Sequence, residues 1–336
     1  MQSQKSVSIK KIAELAGCCP ATVSNVLNNA RYSSKEIRKK VLDICKQLNY
    51  KPNLSARNLR TGRTYTIGLM FNKVSANIFE NSFYLELLDA LQHRLSELNY
   101  DLLLTEFRTN DAQNELPRVL CRRKVDGLIL LGGMPLKLIE VLKKSDENLL
   151  LLDSVNENID SITSDGFSAS VQIVEHLHSL GHKTIAYFAY DYEDANTQLR
   201  ISGFIKSTEK LGIKTSVHKF ENAIVASENL QKILNGTNPP TAIMCVNDNM
   251  AFALISEAKK LRIDVPKDLS IVGFDGISLT KTSSPTISTA VVDIRKIAIM
   301  GADSIIERIN TPNAPIKKIM LPVEFSCGQS SGKVAK

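Results

Sequence analysis

Arg200, Asn247, Asp248 and Asp275 are the residues of this chain best suited to hold a small polar molecule. Arginine offers a fixed fork of donors, aspartate accepts from paired hydroxyls, and asparagine does both. The asparagine and the two aspartates belong to an α/β pattern that puts polar groups at the end of an apolar run. Asn247-Asp248 follow Ala242–Val246, and Asp275 follows Ile271-Val272-Gly273-Phe274. Open parallel sheets bind ligands beyond the carboxyl ends of their strands, so these ends are where a site is expected. The plainer alternative is that Asp248 and Asp275 cap the next helix or turn. Phe83 or Tyr84, in Asn81-Ser82-Phe83-Tyr84, can form an apolar wall or simply pack a helix start. The sequence holds no phosphate-binding glycine loop, no G-x-S-x-G elbow and no H-E-x-x-H pair, so no enzyme is expected. Its six cysteines (18, 19, 45, 121, 245 and 327) form no C-x-x-C pair. His176 and His178 lie two apart and point to different sides of a helix. No metal, no catalytic residue and no cofactor is therefore expected, and reduced thiols are the default.

A second chemistry belongs to residues 7–28, VSIKKIAELAGCCPATVSNVLN. Ser8 can cap a helix whose apolar positions are Ile9, Ile12, Ala13 and Ala16. Gly17 allows a tight turn, and Pro20 suits the first position of a second helix. Val23, Val26 and Leu27 can face the first helix, leaving Pro20, Ala21, Ser24, Asn25 and Asn28 outward. This is the pattern of a helix-turn-helix, whose second helix lies in a DNA major groove. A third helix follows, with a Ser33/Glu36 capping box and an Ile37, Val41, Ile44, Leu48 stripe. Residues 1–64 carry thirteen lysines and arginines against three acids, a net +10, while the remainder is −3. A basic headpiece on a slightly acidic body suits a polyanion-binding module.

The body alternates short apolar runs with helical patterns. Strands are expected at Tyr65–Phe71, Asp101–Phe107, Gly127–Leu131, Leu149–Asp153, Thr184–Ala189, Val217–Phe220, Ala242–Val246, Ser270–Phe274 and Ile287–Val291. Helices are expected at Phe83–Leu98, Ser168–Leu180, Leu199–Leu211, Ser227–Leu234, Met250–Leu261 and Ile294–Ile309. The alternation predicts parallel sheets covered on both faces, an α/β body behind an α-helical headpiece. No apolar run of membrane-spanning length occurs, and MQSQKSVSIK lacks the apolar core of a signal peptide.

The chain resembles the LacI/GalR family of bacterial transcription regulators. The residues that carry the resemblance are Ile9-Lys10-Lys11-Ile12-Ala13, Ala16-Gly17, Ala21-Thr22-Val23-Ser24, Val26-Leu27-Asn28 and Leu48-Asn49-Tyr50-Lys51-Pro52-Asn53. The match continues through Ala56-Arg57-Asn58-Leu59-Arg60-Thr61-Gly62-Arg63. The resemblance implies a three-helix headpiece (1–52), a hinge helix and linker (53–64) and a two-lobed, periplasmic-binding-protein-like domain (65–336). Lobe 1 would comprise about 65–160 and 291–317, and lobe 2 about 161–290 and 318–328, with Lys318–Phe325 returning to the second lobe. It implies that Pro20, Ala21 and Asn25 read bases, and that Lys10, Cys19, Thr22, Ser24, Asn28 and Tyr50 reach or support the DNA backbone. In the hinge, Asn53 can cap a short helix through Ala56, and Leu59 matches the leucine that wedges into the minor groove. Arg200 falls in an R-x-x-G-F motif, and Asp165 matches a D-N at a helix start. Arg200, Asn247, Asp248 and Asp275 match positions that grip a ligand, with Phe83 or Tyr84 as a wall.

Four departures stand out. Relatives mostly carry arginine at Asn25 and serine at Cys19. Ser82 replaces a proline, and Asn72–Glu80 is longer than usual. The function implied is a ligand-responsive repressor of the cytoplasm and nucleoid, a homodimer on a palindromic duplex operator. Its effector would be sugar-like or another metabolite, and a phosphoprotein partner is open. Whether the effector induces or corepresses is open too. The tail Gly328–Lys336 has no leucine heptad of the kind that builds tetramers. The rival is a sugar-binding protein or enzyme of the same two-lobed fold.

Overall fold

The structure is a computed structural model and describes residues 8–27, 34–48, 50, 62–72, 78–79, 81–107, 120, 124–145, 147–192 and 194–334. The chain divides into two compact units, Met1–Arg63 and Thr64–Lys336.

In the first unit, α1 (Ile9–Ala16) starts at Ser8, whose Oγ accepts from the Lys11 amide at 3.3 Å. Gly17 ends it at φ 70°, a conformation that costs glycine no clash. Helix α2 (Pro20–Leu27) and α3 (Lys35–Gln47) follow. The N-cap of α3 is Ser34, accepting from the Ile37 amide at 3.3 Å, rather than the expected Ser33; Glu36 therefore falls in the first turn instead of the box position. Ile12, Ala13, Ala16, Val23, Val26, Val41 and Cys45 form the buried core, with Ile9, Leu27, Ile37 and Tyr50 packed against it. Three short helices thus share a core that two could not close.

In the second unit, one sheet contains β1 (Thr66–Asn72), β2 (Asp101–Phe107), β3 (Gly127–Leu131), β4 (Leu149–Leu152), β5 (Asp160–Ser164) and β11 (Lys318–Leu321), in the order β11-β5-β4-β3-β1-β2. All its pairings are parallel. The other contains β6 (Thr184–Tyr190), β7 (Lys214–Phe220), β8 (Ala242–Cys245), β9 (Ser270–Asp275), β10 (Ser288–Val291) and β12 (Glu324–Ser326), in the order β12-β10-β9-β8-β6-β7. Among the described residues, only its β10–β12 pair is antiparallel. The helices are α4 (Ser82–Glu97), α5 (Leu136–Lys143), α6 (Gly166–Ser179), α7 (Ala195–Lys210), α8 (Ala223–Glu228), α9 (Leu230–Leu234), α10 (Asp248–Lys260) and α11 (Ile294–Asn310). Strands β3 and β4, GLILL and LLLL, are buried at every position, as parallel strands covered on both faces should be.

The lobe boundaries differ from expectation. Asp160–Ser164 is a strand of the first sheet, so the chain crosses at Asp165, just past the 160–164 segment where the resemblance implies a crossover. Its sequence, DSITS, hides a strand because polar residues fill buried positions. Asp160 is held by Arg308, Nε to Oδ2 at 2.8 Å and Nη2 to Oδ1 at 2.7 Å. Lys318–Leu321 also stays in the first lobe, paired with Ser161–Ser164, and the Asp165 amide donates to the Leu321 carbonyl. Only Glu324–Ser326 returns to the second sheet, so the last crossing lies at Pro322-Val323. The helix α5 is not among the expected ones, and α7 begins four residues before the expected Leu199 because Asp194 caps it.

Candidate DNA-reading face and ligand cleft

Burial of Val23 and Val26 turns the opposite face of α2 outward, leaving Pro20, Ala21 and Asn25 exposed and Thr22 and Ser24 half-exposed. Lys10 on α1 is exposed too. Cys19 starts α2: its carbonyl accepts from the amides of Thr22 and Val23, and its Sγ lies 3.1 Å from Thr22 Oγ1. Hydrogen bonding to the thiol, from the Thr22 hydroxyl first and then the Thr22 backbone, lowers the Cys19 thiol pKa. Tyr50 is half-buried against the headpiece core, its amide donating to the Cys45 carbonyl. Asn28, Asn53, Ala56 and Leu59 lie outside the described residues.

The second unit has a cleft of about 440 Å³, open mouth included, lined from both sheets. Its lining comes from strand ends or the segments that follow: Asn81 and Tyr84 after β1, Gly132 after β3, Asp153 after β4, Tyr192 and Asp194 after β6, Asn247 after β8, and Asp275 closing β9. This is the carboxyl-end crevice of open α/β sheets. Arg200, Asn247, Asp275, Phe83 and Tyr84, singled out in the sequence, all line it.

Arg200 is buried in the wall. Its Nη1 donates to the Val246 carbonyl at 2.6 Å, its Nη2 lies 3.4 Å from Asp275 Oδ1, and its guanidinium carbon is 3.7 Å from the Phe274 ring centroid. Asp275 sits at φ 111° and Asp153 at φ 55°, backbone positions a side chain adopts only when the surroundings hold it there. Burial, with Asp194 adding to it, raises the Asp153 carboxyl to about 7 against the pull of Arg200. Burial also pushes Asp275 well up, opposed by Arg200. Asn247 caps α10 through the Met250 amide at 3.0 Å and accepts from the Tyr190 hydroxyl at 3.3 Å.

Two expected ligand residues are elsewhere. Asp248 is fully buried outside the cleft lining. It accepts from Thr289 Oγ1 at 2.6 Å and from the Ile277 amide at 3.0 Å, tying α10 to β10 and the turn after β9. Gly273 leaves room for it, since any side chain there would collide with the Asp248 carboxylate. Asp165 caps α6, accepting from the Ser168 amide at 3.0 Å and the Ser168 hydroxyl at 2.6 Å.

Sequence reasoning misses Asp153, Asn196, Tyr192 and Asp194, which also line the cleft. Asn196, from α7, donates to Asp153 Oδ1 at 2.6 Å and accepts from Thr163 Oγ1 at 2.9 Å, so it joins the two lobes. Two further bonds bridge the lobes: Asn249 Nδ2 to Asn81 Oδ1 at 3.1 Å, and the Ser278 amide to Glu86 Oε1 at 2.9 Å. Asp153 ends an expected strand and Asp194 precedes a helix, both readable signals; Asn196 inside a helix offers none.

Comparison with known proteins adds to this geometry. A model of bacterial regulatory proteins of the lacI family matches residues 8–53, and one of a periplasmic-binding-protein-like domain matches residues 174–331. A Bacillus subtilis (strain 168) protein named probable HTH-type transcriptional repressor ExuR is 28% identical over 330 residues, 95% of this chain and 96% of its own. The HTH-type transcriptional repressor PurR of Photobacterium profundum is 29% identical over 318 residues, 91% of this chain and 93% of its own. The Lac repressor dimer bound to operator and the anti-inducer ONPF has a TM-score of 0.85 at 25% identity, covering 98% of this chain and all of that one. A CelR–cellobiose complex, at 21% identity and a TM-score of 0.71, shares the fold.

Proposed function

The chain belongs to the LacI family of bacterial regulatory proteins, and from that premise we propose that it represses transcription as a dimer on a palindromic operator, under control of a small effector. It is a DNA-binding regulator and not an enzyme. The observation that carries the reading is the pairing of two surfaces in one chain: an outward, side-chain-bearing α2 in a basic headpiece, and a polar cleft between two lobes. In this reading Pro20, Ala21 and Asn25 contact base edges, while Lys10, Thr22 and Ser24 contact phosphates. Phosphate contacts position the protein and base contacts specify the site. Asparagine pairs with adenine through two hydrogen bonds, where arginine prefers guanine. The operator half-site therefore carries an adenine where an arginine-bearing reader would take guanine. A chromosomal operator also places the protein in the cytoplasm, at the nucleoid.

The effector binds among Phe83, Tyr84, Arg200, Asn247 and Asp275. It acts on the bridges at Asn196, Asn81–Asn249 and Glu86–Ser278, because a ligand between the lobes changes how closely they meet. Regulation then amounts to a coupling free energy between cleft and operator, which allows induction or corepression. A ligand-binding protein without DNA function would not need the exposed α2 face.

The test is selection of random duplexes by the full chain, followed by anisotropy titrations at several salt concentrations. The expected result is one palindromic motif whose binding weakens steeply with salt. Removal of residues 1–60 should abolish it; equal binding by that truncated chain would sink the proposal.

A further inference from the structure

The polar lining of the cleft is unevenly charged. Three carboxylates, Asp153, Asp194 and Asp275, face one guanidinium, Arg200. That guanidinium is committed inward, to the Val246 carbonyl, to Asp275 and to the face of Phe274. Among the described residues, no lysine, histidine or second arginine lines the cleft to receive an anion. Two of the acids already draw on neighbouring donors. Asp194 uses Oδ1 to cap α7, accepting from the Thr197 amide at 2.9 Å. Asp153 draws donors from both lobes, Tyr84 at 3.3 Å and Asn196 at 2.6 Å. One donor is unspent: Arg200 Nε is buried without a partner among the described residues.

Beside the acids stand aromatic rings. Phe83 and Tyr84 meet edge to face, centroids 5.2 Å apart, and Tyr192 stacks on Tyr190 at 5.5 Å. Tyr84, Asp153, Tyr192 and Asp194 are close enough to perturb one another electrostatically. An anionic ligand would add charge to a crowd of carboxyls, of which burial already pushes Asp153 and Asp275 up in pKa. A neutral polyol could use the acceptors without relieving that crowding. A protonated amine does both: it makes charge-assisted bonds to carboxylates and is attracted to ring faces. Hydroxyls on the same ligand suit the unspent arginine donor and the other acceptors.

We propose that the effector is an amine-bearing polyol, such as an amino sugar, whose ammonium group sits at the Tyr84–Asp153–Tyr192–Asp194 end of the cleft. The proposal rests on the reading of this cleft as the effector site. It separates this chain from the regulator of the same fold that holds cellobiose.

The experiment uses the full chain and two matched series: D-glucosamine, D-glucose and D-glucuronate, and D-galactosamine, D-galactose and D-galacturonate. Thermal shift and titration calorimetry read binding, and operator anisotropy is followed in parallel. The expected result is that, in at least one series, the amine binds at least tenfold more tightly than the alcohol and the acid. Asp153→Asn and Asp194→Asn should each weaken the amine tenfold or more while moving the alcohol less than threefold. Asparagine keeps the size of both side chains and remains a good cap at 194, so fold and charge are tested separately. Preference for the alcohol or the acid, absence of amine binding in both series, or amine affinity unchanged in both variants overturns the proposal. Operator release by a neutral sugar would remove the amine and leave the regulator reading intact. Failure of the unliganded chain to bind any duplex would remove the regulator reading itself.

Discussion

The headpiece and the cleft are built on opposite terms. The headpiece hangs on a core of about seven side chains, and its candidate functional residues, Pro20, Ala21 and Asn25, stand on the surface. The cleft is set in a core that runs through both sheets, and Arg200, Asp153 and Asp275 are almost wholly buried. A surface reader needs little more than a helix held at the right angle. A buried reader needs most of its polar groups held before the ligand arrives, which is why Arg200 is engaged on three sides and keeps only Nε in reserve. Changes to the headpiece core should therefore act on DNA binding alone, and changes to the cleft should act on stability and ligand response together.

The largest effect is expected from Val26→Asp. A charge buried without a partner in so small a core cannot be offset by neighbouring packing. Operator binding should be lost, while the main thermal transition, which belongs to Thr64–Lys336, stays in place. A downward shift of that transition would break the comparison, because the two units would then share stability.

Next is Arg200→Met. It leaves Asp275 and Asp153 buried without their counter-charge, a loss of about 3–5 kcal/mol at neutral pH for breaking such a pair. The body's melting temperature should fall and effector response should vanish. The fall should be smaller at pH 5, where both acids can protonate.

Asn25→Arg tests the surface side. It should move preference from adenine to guanine at one position per half-site, worth about 1–3 kcal/mol of discrimination, with the thermal transitions unchanged. Repeated duplex selection measures it. An unchanged motif would mean that Asn25 does not read a base.

Asp153→Asn sharpens the buried side through pH. In the fold Asp153 titrates near 7, against an ordinary value of 3.8, so between those values the folded state holds the extra proton. Its contribution to stability is present at low pH and is lost as pH rises through that window. His176 and His182, whose pKa values burial lowers, act the other way below about pH 6.5. The variant removes only the acid's part. It should raise the stability at pH 8 by on the order of 1 kcal/mol, read as a higher melting temperature, and do little at pH 5. Equal stabilisation at both values would point to packing rather than charge.

The same contrast explains what can be read from the sequence. The headpiece is legible residue by residue because its signals are local: a cap at Ser8, a glycine at the turn, valines at helical spacing. The strands rich in leucine and isoleucine are legible too. Asp160–Ser164 is not, because its burial is made tolerable by Arg308, 148 residues away. Lys318–Leu321 reads as part of the wrong lobe for a related reason: the crossing at Pro322-Val323 leaves no local mark. In the cleft, Arg200 and Asp275 are found by their place after strands or in a motif. Asn196 escapes because its partners, Asp153 and Thr163, lie on the other lobe. Asp248 shows the converse error, a polar residue after a strand whose hydrogen bonds turn out to be internal.

The smallest expected effect falls on Cys19→Ser. Cysteine caps a helix poorly, and here the thiol is exposed and faces Thr22 rather than any core residue. A serine oxygen is a stronger acceptor for the amides at the start of α2 and needs no repacking. The headpiece should gain a few degrees at most, and operator affinity should rise less than threefold. Both can be read by helical dichroism of the isolated residues 1–63 and by anisotropy of the full chain. The direction carries the information, because a better cap stiffens the helix that presents Pro20, Ala21 and Asn25 without adding any contact to a base. If affinity falls instead, the thiol itself takes part at the DNA surface, and the headpiece is not the plain surface reader that its thin core implies.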